Sequence, residues 1–335
     1  MAANSQCLFY NTTYSLHRVS PLYTRNHRPI ENSWLTYYAQ QFQDLLIGEV
    51  LRSVKTGAVT DKDFEIRAGS LKAVRWTFFN DKDVLGLEEN DESSVMEYAT
   101  RGMLVTVSYE NIEYQAIFLQ DLCSAENCGS EEIQDVFLHF PLLLLKMSGP
   151  LRKIFLEYFA TTFDTRISNL HLSHRCLIDC FERYIADLRT DEKSRERESV
   201  QMSVDMSDVI KHTVVRLGFD LPSRSTLLKS IDIQILSEDL TLMVATGERT
   251  VDAPFFEAFR TYLKIHLALD VNNPKVKIER ISCAAFNLSI EGKLKLAKPS
   301  NLNFHSPQIQ ANRRLIYTLV EAAKRSALSS SSYTV

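Results

Sequence analysis

FNLSIEGKLKL, residues 286–296, alternates Phe286, Leu288 and Ile290 with polar residues, turns at Glu291-Gly292, and resumes alternating through Lys293, Leu294, Lys295 and Leu296. A period of two with one apolar face is the pattern of a half-buried strand, and two such runs around a glycine-bearing turn make an antiparallel hairpin. A two-residue loop would set Ile290 against Lys293. A three-residue loop sets Ile290 opposite Leu294 and Leu288 opposite Leu296, which keeps apolar with apolar, and this register is expected.

The same alternation recurs outward from this hairpin. Ile231, Ile233 and Ile235 precede Ser237-Glu238-Asp239, and Leu240, Leu242 and Val244 follow it, which predicts a second hairpin. Between the two, Asp252 caps a predicted helix to about Leu269, with Phe255, Phe256, Phe259, Tyr262, Leu263 and Leu267 inward. Ser306-Pro307 opens a last helix to about Leu328, with Ile309, Ile316, Val320 and Ala323 inward. Towards the N-terminus, strands are expected over Leu8–Leu16, Leu71–Phe79, Met103–Tyr109, Tyr114–Leu119, Val136–Leu145 and Val209–Leu217. Helices are expected from Ser33 to about Val54, Pro150 to Thr162 and His174 to Leu188. Hairpins mixed with amphipathic helices, without βαβ alternation, define an α+β class: antiparallel sheets and hairpins with packed amphipathic helices, in two lobes. The polar run TDEKSRERESVQMSVDMS, 190–207, reads as the linker between an N-terminal lobe, 1–189, and a C-terminal lobe, 208–328. The acidic stretch Glu88–Glu92 reads as a solvated loop, and 329–335 reads as a disordered tail.

Composition narrows the function. Of 335 residues, 45% are hydrophobic and 24% charged, as in an ordinary globular protein. The most apolar run, Phe140–Leu145, is too short to span a bilayer, so no membrane role is expected. MAANSQC lacks the features of a secretory leader, the six cysteines are expected to be reduced, and Asn11 and Asn287 are read as chance glycosylation matches inside strands. Only 10 glycines occur, scattered, with no phosphate-cradling motif, and no serine-hydrolase elbow is present. His171, His174, Cys176 and Cys180 lie close together but at no usual zinc spacing, and Cys123 and Cys128 lack a second pair. The expectation is a chain with no catalytic, cofactor or metal site.

Charge is uneven. After residue 270 there are ten Lys or Arg against three Glu, a local +7, while the remainder carries −11. Lys275, Lys277, Arg280, Lys293, Lys295, Lys298, Arg313 and Arg314, with Lys324 and Arg325, form this basic third. They read either as a solvated face whose lysines discourage edge aggregation or as a phosphate-contacting surface; the first eight are the candidate DNA contacts. Phe286, Leu288, Ile290, Leu294 and Leu296 are the candidate partner-strand residues, since a hairpin edge can accept an added strand.

The N-terminal half carries a more specific signal. FYNTTYSLHRVSPLYT at 9–24, LTYYAQQFQDLLIGEVLRSV at 35–54, LKAVRWTFF at 71–79 and FPLLLLKMSGPLRKIFLEYFATTFDTRISNL at 140–170 resemble the fungal branch of the centromere protein L family. That resemblance implies an α+β, non-catalytic subunit of the constitutive centromere-associated network of the inner kinetochore, acting in the nucleus in chromosome segregation. It implies a heterodimer with a centromere protein N-like subunit, contact with other inner-kinetochore subunits, and a place on centromeric DNA or its nucleosome. The family's partner interface is expected in strands of the C-terminal half, and either that partner or, in a homodimer, a second copy of the chain is expected to dock at the Glu291-Gly292 hairpin. Two other classes stay open: an autonomous nucleic-acid-binding protein using the basic third, and an enzyme with a dispersed site, for which no motif speaks.

Overall fold

The computed structural model describes residues 9–24, 32–56, 68–79, 102–120, 137–195, 209–220, 229–247, 253–299 and 306–329. In chain order the elements are β1 (Thr13–Val19), β2 (Leu22–Tyr23), α1 (Asn32–Thr56), β3 (Leu71–Phe79), β4 (Gly102–Tyr109), β5 (Glu113–Leu119), β6 (Phe137–Leu138), β7 (Leu142–Lys146), α2 (Gly149–Thr162) and β8 (Ile167–Asn169). There follow α3 (His174–Arg195), β9 (Thr213–Phe219), β10 (Ser230–Ile235), α4 (Ser237–Gly247), α5 (Pro254–His266), β11 (Val276–Ser282), β12 (Phe286–Ser289), β13 (Lys293–Leu296) and α6 (Pro307–Ser329). Every ladder between named strands detailed below is antiparallel, and the fold is α+β.

The chain forms two compact units. The N-terminal unit contains β1 from Tyr14 through β8, and the C-terminal unit contains α3 to α6 as far as Ala322 together with the residues before Tyr14. The division falls between Asn169 and Leu170, ahead of the polar segment 190–207. The first six residues of that segment continue α3, and the rest of it lies outside the described residues, as do Glu88–Glu92 and the tail beyond Ser329.

In the N-terminal unit the strand order is β1-β7-β5-β4-β3, with β8 on β1. The run Leu142–Leu145 is buried on both faces, which is why it reads as continuously apolar rather than alternating. Phe140-Pro141 separates β6 from β7, because proline cannot donate to a ladder, so the single strand expected over Val136–Leu145 is two. On one face α1 packs Leu35, Ala39, Phe42 and Leu46, at helical spacing, and α2 packs Leu151, Phe155, Tyr158 and Phe159. Trp76 of β3 stacks on Phe159 at 5.2 Å and 12°, and Phe118 of β5 stacks on the same ring at 4.9 Å. The strand expected over Leu8–Leu16 starts only at Thr13, since Asn11 takes φ 58° and breaks it.

In the C-terminal unit the order is β10-β9-β11-β12-β13. One face is apolar: Val215, Leu217, Ile278, Ile281, Phe286, Leu288, Leu294 and Leu296 are buried. Helix α3 covers it, with Phe181 and Tyr184 against Phe286 at 6.2 and 4.9 Å. The Tyr184 hydroxyl donates to Asn312 Oδ1 of α6 at 2.9 Å, so this layer includes α6. Phe181 meets Phe255 of α5, and α5 packs in turn on α4.

Two expectations are corrected here. Residues 237–247 form a helix, not the return strand of a hairpin. Leu240, Val244 and Gly247 are its buried positions, spaced four and three apart, Glu238 and Asp239 suit the positive end of its dipole, and Leu242 points outward. The 286–296 hairpin does form, but its loop is Ile290-Glu291-Gly292, pairing Ser289 with Lys293 and Leu288 with Leu294. Gly292 decides this: at φ 70° it occupies the left-handed position that ends a three-residue loop, which shifts the register by two and leaves every side chain on its expected face.

Candidate functional site

The uncovered face of the C-terminal sheet is polar. Across neighbouring strands, Asp232 of β10 pairs with Arg216 of β9, Arg216 with Arg280 of β11, Arg280 with Ser289 of β12, and Ser289 with Lys293 of β13. The adjacent row runs Gln234, Val214, Ser282, Asn287, Lys295. A bulge in β11 makes this possible. The β9 register steps from Ile278 directly to Arg280, so Glu279 is an inserted residue. Strict alternation would send Lys277 and Arg280 to opposite faces; the insertion puts both on the polar one.

Two arginines directly opposite each other repel, and Asp232 holds them. Its carboxylate accepts from Arg216 Nε at 2.6 Å and Nη2 at 2.7 Å, and from Arg280 Nη2 at 3.3 Å. The Arg216 hydrogen bonds keep the Asp232 carboxyl below its usual range. Arg280 Nε is buried and has no hydrogen-bond partner. At the hairpin turn Lys293 Nζ donates to Glu291 at 2.8 Å, an exposed pair that lowers the Glu291 pKa. Arg216, Arg280, Glu291 and Lys293 line a basin of about 260 Å³, with Thr13, Asn287, Ser289 and Lys295 among its walls.

The candidate DNA contacts divide. Lys277, Arg280, Lys293 and Lys295 share the polar face, and Lys275 and Lys298 are exposed just outside β11 and β13. Arg313 and Arg314 are not with them. They sit on α6 in the helical layer, where Arg314 pairs with Asp187 of α3 and Arg313 lies 5.7 Å from the Tyr317 ring. Those eight cations are therefore not one patch.

The partner-strand candidates are also placed by the sheet. Phe286, Leu288, Leu294 and Leu296 point into the core. β12 is flanked by β11 and β13, and on the outer side of β13 the Asn11 N–H donates to the Leu296 carbonyl at 2.7 Å. Ile290 is in the turn, its carbonyl accepting from Leu172 N–H and its own N–H donating to Glu279 O, both at 2.9 Å. Among the described residues the open edge of this sheet is β10 instead. Five large apolar side chains are exposed on the segment that follows it in the chain: Leu236 (61%), directly after β10, Leu242 (65%) on α4, and Tyr262 (41%), Ile265 (70%) and Leu267 (47%) on and at the end of α5. Tyr262 and Leu267 were expected inward; α5 buries Phe255, Phe259 and Leu263 and turns those two outward. The residue spacing that reveals this, two steps of four from Phe255, is present in the sequence but is masked by how many aromatic residues the helix carries.

Among the described residues no group of three or more His, Cys, Asp or Glu is arranged to hold a metal. Cys180 is buried in α3 and Cys176 half-buried one turn away, on the shoulder of the Leu177–Phe181 stripe; Cys123 and Cys128 lie outside the described residues. No described helix is long and apolar enough to cross a membrane.

Among the described residues the C-terminal sheet thus has one face covered by helices, one charged face without a helix on it, and an end strand, β10, with no further partner. The chain belongs to the centromere protein L family: the family model described as CENP-L, Centromere protein L, matches residues 8–324. It is accordingly a centromere and kinetochore subunit and a member of the inner-kinetochore complex, from a family of structural subunits rather than enzymes. No individual curated protein matches it.

Proposed function

We propose that this chain is a non-catalytic scaffold of the inner kinetochore, acting in the nucleus, that pairs with a centromere protein N-like subunit through β10 and helps anchor the assembly on centromeric chromatin. What supports the pairing is a strand edge with no partner strand among the described residues, together with the exposed side chains of Leu236, Leu242, Tyr262, Ile265 and Leu267 on the segment that follows it. Backbone groups of such an edge supply affinity to an incoming strand, and the apolar side chains beside it supply specificity. Family membership, with the inner-kinetochore complex it brings, supports a partner of that class. Co-expression with a centromere protein N-like subunit tests it. Leu242→Asp with Ile265→Asp is expected to abolish co-purification, a loss of at least ~10-fold in affinity, with the melting temperature unchanged. Co-purification at wild-type yield would overturn the pairing. If the free chain is dimeric by light scattering, the same variant is expected to make it monomeric.

The chromatin contact rests on Lys275, Lys277, Lys295 and Lys298, which are exposed and have no acidic partner among the described residues. Autonomous nucleic-acid binding is the competing reading, and the same lysines favour it. Binding of duplex DNA by the isolated chain, as tight as by the paired complex, would select that reading.

A further inference from the structure

The basin on the open sheet face has features that neither strand pairing nor general chromatin contact requires. We propose that it is a phosphate-monoester site, receiving a phosphoserine or phosphothreonine carried on a segment of another protein. Arg216 and Arg280 are cross-strand neighbours held by one carboxylate, and the Arg280 Nε is buried with nothing to donate to. An unused guanidinium donor beside a second guanidinium matches the fork geometry with which arginine reads phosphate oxygens. Lys293 and Lys295 stand on β13, one strand beyond β12 from Arg280, and Thr13, Asn287 and Ser289 line the same space. Lys293 is held by Glu291 in an exposed pair, worth no more than ~1 kcal/mol, so an incoming anion can take that partner's place.

Size and charge decide the class of ligand. At about 260 Å³ the basin is below the ~300–1,000 Å³ usual for whole small-molecule ligands, and only Ile290 and Leu294 supply apolar wall. It fits a charged group at the end of a chain. A duplex gains affinity by neutralising several phosphates with unpaired cations. Here four cations face three carboxylates, Asp232, Glu279 and Glu291, so little net charge is offered to a polyanion. A phosphate monoester concentrates nearly two charges and three acceptor oxygens in one place, which is what two converging arginines reward. Docking at this face would then depend on phosphorylation of the partner segment, independently of strand pairing at β10.

The test uses the full chain and a fluorescein-labelled Gly-Ser-Gly-phosphoserine-Gly-Ser-Gly peptide, with its unphosphorylated twin and a random-sequence DNA duplex as comparators. Saturable one-to-one binding at least ~10-fold tighter for the phosphorylated peptide is expected. It should fall at least ~10-fold in Arg280→Gln and in Lys295→Glu. The second variant changes an exposed side chain, so it reports even where the first disturbs β11. Equal binding of both peptides, or phosphopeptide binding that survives Lys295→Glu, overturns the proposal. So does a duplex that binds more tightly than the phosphopeptide and is lost in the same variants. Co-purification with the centromere protein N-like subunit, measured on the same variants, is expected to be unchanged, which keeps failure here distinct from failure of the pairing.

Discussion

His17 of β1 is buried at 3% exposure, with Nε2 3.1 Å from Ser15 Oγ. Ser15 spends its hydroxyl proton on the Leu145 carbonyl at 3.1 Å, so His17 donates from Nε2 and Ser15 accepts. Burial, and after it the charge of Arg152, lower the His17 pKa from 6.5 to about 4. The unfolded chain therefore takes up this proton below pH 6.5, while the folded one refuses it until about pH 4. Stability is full above the upper value and is lost between the two, by at most ~3 kcal/mol. Urea midpoints of the wild type and His17→Leu across this range check it: the wild type is expected to weaken more steeply, and parallel curves would refute the assignment. Nothing in the sequence around His17 distinguishes a buried neutral histidine from an exposed one. Its environment comes from β7, more than a hundred residues away.

Among the elements, α4 separates local from non-local information most clearly. Leu240, Leu242 and Val244 fit a strand with one apolar face as well as they fit a helix, because a run this short satisfies both periods at Leu240 and Val244. The helix is decided by what Leu242 does, and Leu242 is 65% exposed. Leu240→Ala is expected to cost ~2–5 kcal/mol, and Leu242→Ala less than ~0.5 kcal/mol, in denaturant unfolding. On a strand the two would cost alike. Long elements with one dominant period, α1, α2, α3, α6, β3, β4 and β5, were legible within a residue or two at most of their ends. Other departures lie where proline, a positive φ or a bulge interrupts the period, at Pro141, Asn11, Glu279 and Gly292, while α3 runs seven residues past its expected end at Leu188 through a polar stretch. Of these the glycine-bearing turn was visible beforehand, and the bulge was not, since inserting Glu279 leaves no mark on composition.

At the scale of the whole molecule, the −11 and +7 charge split is real in sequence but is not a single surface in space. Arg313 and Arg314 are engaged in the helical layer, while the exposed lysines lie on and beside the polar sheet face. Lys275→Glu, Lys277→Glu and Lys298→Glu together are expected to lower the salt slope of DNA binding by the partner complex by about three, one per phosphate contact, without altering base preference. A triple variant with the wild-type slope would remove these residues from the chromatin contact. None of the three lines the basin, so phosphopeptide binding is expected to survive.

The sequence by itself determined the α+β class, most of the elements, the three-residue length of the last hairpin loop and the family, because each depends on periodicity, turn chemistry or motif within a few tens of residues. Only the tertiary structure decided which edge stays open, that four of the five predicted partner-strand residues are core, and that Arg216 meets Arg280 over Asp232. Those outcomes depend on strand order and on one inserted residue. Both are fixed by apolar burial against helices distant in the chain, where no local pattern of residues records which strand will lie beside which.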